Sequence, residues 1–384
     1  MLKFPNKYLL VALLLALINT VVVFLMFGFR KFGDSDSYIY LIDWFLGKEN
    51  QIIVEGSTNI SIYILRPLIA LLAAPFQGLS RGSGIIIQNV MFYFLATYLI
   101  FRITDLIYRN KEQALLASIL YAFAIPWLNV GLGYMTNAGA WFFVIFSVYL
   151  ILLYFKKPSK KLLILGGLIS GMGILMKESG GLGIIFFAAV LLLSKNLSFS
   201  EKFSKMLKFG VFFLIAPVIW EIVILIFFPP FSHVYMFLFL KREIIEGASK
   251  ILILVTLKQA TAFLATFGLL GWSLILFGGW KEWKEKNPER ARIILAFVIF
   301  SLIFLAWWAI GDARHALTTL GPLVLLGSYG LVHLKNAFRN KALGTASMIS
   351  IMCLYVFLNH YSNFVDDAVP LIDLNDIYHF LIKL

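Results

Sequence analysis

An all-α, polytopic membrane bundle of about 11 transmembrane helices is the fold class this sequence predicts, and three observations carry it. Of 384 residues, 61% are hydrophobic and only 14% are charged. Apolar runs of about 20 residues recur along the chain, the length a helix needs to cross a hydrocarbon core. Lys and Arg gather in alternate loops between these runs, which is how cytoplasmic connections are marked. The net charge of +13 is therefore read as topology, and no nucleic-acid partner is expected. A lone cysteine, Cys353, excludes an internal disulfide and a cysteine metal site.

In chain order, Met1 to Lys7 precedes an apolar run too long for a cleaved signal peptide, so the N-terminus reads as a cytoplasmic signal anchor. The first span is 8–29. Residues 30–83 form a first outer loop. It holds the acidic stretch Gly33-Asp34-Ser35-Asp36-Ser37-Tyr38, a helix-like run to Leu46, a polar patch from Gly47 to Asn59 and the run Ile60 to Leu79. Arg66-Pro67 interrupts that last run near its start. Ten further spans follow: 84–107, 114–128, 138–155, 162–176, 180–194, 208–228, 257–279, 292–310, 316–334 and 342–360.

With Ile60 to Leu79 left out of the membrane, 21 of the 33 basic residues fall inside and 13 of the 20 acidic residues fall outside. Letting that run cross would reverse most loops against the positive-inside pattern. It is better placed as an amphipathic or re-entrant helix on the outer face. A second outer loop covers 229–256. No separate soluble domain, repeat or linker is visible, so residues 1–384 read as a single transmembrane domain.

The acids make the outer face the chemically interesting one. Acidic side chains beside hydrocarbon are costly, so Asp34 and Asp36, two residues apart at the end of span one, are candidates for chemistry. Either of them, or Ser35, would also serve as a helix cap. Arg66 stands just before Pro67, which suits the first turn of a helix. Met176-Lys177-Glu178-Ser179-Gly180 and Gly311-Asp312-Ala313-Arg314-His315 read as tight outer turns between spans. Lys177 and Arg314 would suit snorkelling to headgroups, yet both stand on the face where positive charge is disfavoured. Arg66 and Arg314 present planar forks suited to phosphate, and Lys177 a point charge. A carboxylate base beside such cations is what sugar transfer from a lipid-linked phosphate needs. His233, His315, His360 and His379 share no metal-ligand spacing. Asp34 and Asp36 could join Glu178 or Asp312 around a divalent cation such as Mg or Mn, which favours oxygen ligands. Glu221, inside a span, needs a polar partner or protonation.

These pieces resemble the GT-C superfamily of membrane glycosyltransferases, in the branch that contains protein O-mannosyltransferases and lipid A aminoarabinose transferases. Its members place an acidic motif just after span one, as Gly33-Asp34-Ser35-Asp36-Ser37-Tyr38 stands here. They follow it with an Arg-Pro segment leading into an outer helix, similar to Arg66-Pro67-Leu68, and a later Lys turn similar to Leu175-Met176-Lys177-Glu178. Arg314-His315 resembles their late Arg-(Tyr/His) pair. The resemblance runs over roughly residues 1–335. The first loop lacks the adjacent Asp-Glu pair of the mannosyltransferase branch.

The resemblance implies a multi-pass enzyme transferring a sugar from a polyprenyl-phosphate donor to a lipid, glycan or protein acceptor on the extracytoplasmic face. Asp34 or Asp36 would be the base, and Lys177, Arg314, Arg66 and His315 would hold the donor phosphate, with Tyr38 and Glu178 in support. Two rivals use the same features differently. One is a polymerase or ligase with a diphosphate-linked donor. The other is a lipid-linked-sugar flippase, which should carry mid-membrane charges and repeated halves.

Overall fold

The computed structural model describes residues 6–31, 35–48, 64–227, 252–307 and 313–368, with side chains in all of these except 252–262, 303–307, 313–314 and 363–368. Fourteen α-helices and no strand occur among the described residues. Seven helical segments are long and apolar enough to cross a membrane, and the chain is an integral membrane protein.

Helix α1 (Lys7–Phe27) starts at Asn6, whose side chain accepts from the Tyr8 backbone N–H, and stops at Gly28 with φ +65°. A stop at positive φ suits glycine, which carries no Cβ. Helix α2 (Ser35–Phe45) buries Tyr38, Ile39, Leu41, Ile42 and Asp43. The run around Arg66-Pro67 yields only α3 (Pro67–Ala73) and a 3-10 turn, Ala74–Phe76. Seven residues rise about 10 Å, so this segment does not cross a bilayer; residues 60–63 lie outside the described part. Helix α3 packs on α2, on α4 (Ser83–Tyr108) and on α7 (Lys160–Met176).

The remaining helices are α5 (Lys111–Ala122), α6 (Asn137–Lys156), α8 (Gly183–Leu193), α9 (Phe199–Phe227), α10 (Leu252–Glu285), α11 (Pro288–Trp307), α12 (Ala313–Leu320), α13 (Val324–Ala337) and α14 (Lys341–Ala368). Among the described residues, each of the eleven expected spans coincides for most of its length with helix. Four of them rest on helices outside the seven: α5, α7, α8 and α11. The expected span 114–128 ends as α-helix at Ala122. Pro126 then leads into a π turn, Trp127–Gly131, because proline cannot carry a helix onward. Gly311 to His315 is not wholly a turn: Ala313, Arg314 and His315 open α12.

Small residues bring the helices together, as is usual where lipid gives apolar surfaces no reason to associate. A Cβ on Gly171 of α7 would lie 2.1 Å from the Phe213 carbonyl oxygen of α9, and one on Gly278 of α10 would lie 1.7 Å from the Leu326 carbonyl oxygen of α13. Helix α10 breaks at Gly268, φ +64°. Trp272 closes that break by donating to the Phe263 carbonyl at 2.8 Å and stacking on its ring at 3.9 Å.

Candidate active site

The N-terminal ends of α2, α3, α6 and α12 and the C-terminal end of α7 meet at one end of the bundle. Between α7 and α8 the chain makes a 3-10 turn, Glu178–Leu182, that packs on α6, α7 and α12. Its tightness comes from Gly173 and Gly180, where a Cβ on either would sit 2.2–2.3 Å from the other's carbonyl oxygen. Lys177 immediately precedes the turn in extended backbone, so its side chain leaves the helix axis and turns inward.

A closed polar ring follows. Arg66 donates through Nε and Nη2 to the two oxygens of Glu178, both at 2.9 Å, and through Nη1 to the Tyr38 hydroxyl at 2.6 Å. The Thr136 hydroxyl donates to the same Tyr38 oxygen at 3.2 Å. The next residue, Asn137, accepts from Lys177 Nζ at 3.0 Å, and Lys177 is bonded in sequence to Glu178. Four separate elements are thereby tied at residues up to 112 positions apart. The fork on a carboxylate is the strong, directional form of an ion pair. Tyr38 is 1% and Lys177 6% exposed. Burial works against ionisation of Glu178, but Arg66 outweighs it and holds that carboxyl below its ordinary range.

The expected residues distribute unevenly. Tyr38, Arg66, Lys177 and Glu178 come together. His315 is buried in α12, which packs on the 178–182 turn and on α6. Arg314 shares that helix, and its side chain is outside the described part. Asp34 also lies outside the described residues. Asp36 is placed on the first turn of α2 with its side chain 81% exposed, 3.4 Å from Lys31 Nζ. No group of three His, Cys, Asp or Glu side chains able to hold an ion occurs among the described residues, and Asp34 and Asp312 are not among them.

Thr136 and Asn137 escaped the sequence reading. Their signal was available: a Thr-Asn pair directly before the apolar run of α6 is a helix-start pattern. Asp43, one of the outer acids, has a structural task. It accepts from Gln77 and Arg81, each at 3.0 Å, and so ties α2 to the turn before α4. Arg30 donates to Asn129 at 2.7 Å, fixing the end of span one against the π turn.

A family model described as dolichyl-phosphate-mannose-protein mannosyltransferase matches residues 65–220, a segment that holds the whole polar ring except Tyr38. Among solved structures, ArnT from Cupriavidus metallidurans, crystallised bound to undecaprenyl phosphate, superimposes with a TM-score of 0.61 at 12% identity. The match covers 91% of this chain and 63% of ArnT, so the chain spans less than two thirds of that protein's length. No curated protein matches in sequence. The chain shares the fold of ArnT over the matched length.

Proposed function

We propose that this protein is an integral membrane glycosyltransferase that takes a sugar from a polyprenyl-phosphate carrier and passes it to an acceptor hydroxyl on the extracytoplasmic face. The acceptor oxygen attacks the anomeric carbon from the side opposite the phosphate, so the configuration inverts. The bond to the phosphate oxygen breaks with its electron pair staying on the phosphate. Asp34, at the end of span one, takes the proton of the attacking hydroxyl. Lys177 and Arg314, with His315 beside them, hold the charge that grows on the departing phosphate.

The observation that carries this reading is the buried Lys177 ammonium, fixed by an amide oxygen next to the Arg66–Glu178 fork. A buried ammonium held in place is a point charge on which an incoming phosphate can seat. Arg66, with its fork on Glu178 and a third donor on Tyr38, is assigned mainly to keeping that pocket in shape. Asp36 is the weaker base because it is exposed and sits beside Lys31.

Donor affinity and turnover of Lys177→Ala, Arg314→Lys and the double variant test the reading. Lys177→Ala should weaken both quantities. Arg314→Lys keeps the charge but loses the bidentate fork, and should lower turnover more than affinity. Cations sharing one phosphate should be less than additive in the double variant. Wild-type affinity in both single variants would reduce these residues to headgroup anchors and favour the flippase.

A further inference from the structure

At the end of the bundle opposite the polar ring, a cavity of about 540 Å³ opens between the C-terminal ends of α4, α6 and α8 and the N-terminal end of α11. Helix α6 runs from Asn137, in the ring, to Lys156, on the cavity. Twenty helical residues span about 30 Å, one hydrocarbon thickness, so the cavity lies at the level of the other leaflet's headgroups.

Four cations line it: Arg109, Lys156, Arg290 and Arg292. Arg290 is already compensated, 2.9 Å from Glu282 and 2.6 Å from Glu285. That leaves Arg109, Lys156 and Arg292 facing a single lining carboxylate, Glu289, so the cavity carries surplus positive charge. One part of its wall is apolar, built by Leu106, Leu152, Val190 and Leu193 among others. Arg109 is held at φ +54° just past α4, and Lys286, next to the lining Asn287, at φ +52°. These are the two non-glycine residues with positive φ among the described ones. The left-handed backbone at Arg109 fixes where that side chain starts.

Snorkelling cations reach out towards headgroups from scattered positions. Here they converge on one walled space, which calls for a ligand with an anionic head and an apolar body. We propose that this cavity binds the headgroup of an anionic phospholipid, with its phosphate against Arg109, Lys156 and Arg292 and its first acyl carbons along the apolar wall. Basic pockets between helices at the cytoplasmic side are suited to such headgroups. The site is separate from the proposed donor site and stands whether or not that assignment holds.

The test uses the full chain in vesicles of equal phosphatidylcholine and phosphatidylglycerol, extracted in mild detergent, with retained lipids counted by native mass spectrometry. The wild type should retain phosphatidylglycerol in preference, and inorganic phosphate at tens of millimolar should not displace it. Lys156→Gln/Arg292→Gln should lower that preference by about twenty-five-fold, two surface-level charges each contributing about fivefold. Lys160→Gln/Lys161→Gln, which removes two cations at the same end but outside the cavity, should leave it within about twofold. Equal retention of both lipids by the wild type overturns the proposal, even if the cavity variant fails to fold. So does an equal loss in both double variants, which would mean surface potential alone. Displacement by inorganic phosphate would overturn it too, by making the cavity a site for the free ion.

Discussion

Lys177 and Arg66 point into the same corner but are held by different chemistry, and the difference is testable one residue at a time. Arg66 carries a two-pronged contact to Glu178, so Glu178→Gln turns an ion pair into an ordinary hydrogen bond; with the Glu178 side chain 40% exposed, solvent screens the pair and the change should destabilise the protein by roughly 0.5–1 kcal/mol at neutral pH. The Glu178 carboxyl titrates below its ordinary value of 4.5. A depressed carboxyl stabilises the fold above the unfolded value and loses that contribution as pH falls through the folded one. The gap in thermal stability between wild type and Glu178→Gln should therefore be flat near pH 7 and close below about 4.5; a gap that persists in acid would deny the ion pair its role. Asp34→Asn should cut turnover by about 10²–10⁴-fold, as loss of a general base does, while leaving donor affinity near wild type. Normal turnover there with a loss in Asp36→Asn would exchange the two acids. Lys177, Arg66 and Glu178 were legible because charge is scarce in this chain and each sits in a short polar break. Thr136 and Asn137 were legible only as a helix start; their place in the ring depends on Tyr38 and Lys177, which sequence spacing does not reveal.

At the scale of elements, glycine spacing does the positioning. Gly180→Ala leaves every charge in place, yet its Cβ would land 2.3 Å from the Gly173 carbonyl. The turn must then move and carry Lys177 off Asn137, so turnover should fall with no charge lost. Gly171→Ala meets the Phe213 carbonyl at 2.1 Å, whereas Gly210→Ala on α9 meets nothing within 4 Å. Overpacking costs roughly 1–3 kcal/mol, while replacing a helical glycine that has open space around it gains up to about 1 kcal/mol. Thermal unfolding should therefore separate the two alanines by sign, and equal shifts would mean that α7 and α9 do not pack as closely as this. Long apolar runs showed where helices lie, but not where they stop short. Pro126 ended a span that hydropathy alone carried to residue 128. Gly311-Asp312 suggested a turn through His315, although Ala313 already opens α12. Hydropathy averages over a window, and a helix start depends on single residues.

For the whole molecule, the alternation of helices fixes which polar ends lie together but not which side of the bilayer each faces. The polar ring occupies one end. Lys156, Lys160, Lys195, Lys202, Lys284, Arg292 and Lys341 cluster at or near helix ends on the opposite side. The positive-inside bias assigns that second end to the cytoplasm, which would place the ring, the proposed base and the donor phosphate outside. An independent measurement decides it. In a Cys353→Ser background, single cysteines replace Ser57, Ser249 or Ser159, and intact cells are treated with a membrane-impermeant thiol reagent. Ser57→Cys and Ser249→Cys, in the two expected outer loops, should be labelled. Ser159→Cys, between α6 and α7 beside Lys157 and Lys160, should react only after the membrane is opened. Labelling of Ser159→Cys in intact cells would turn the bundle over and move the ring to the cytoplasm. A hydroxyl acceptor on the extracytoplasmic face would then be out of reach, and the basic cavity would face the other leaflet.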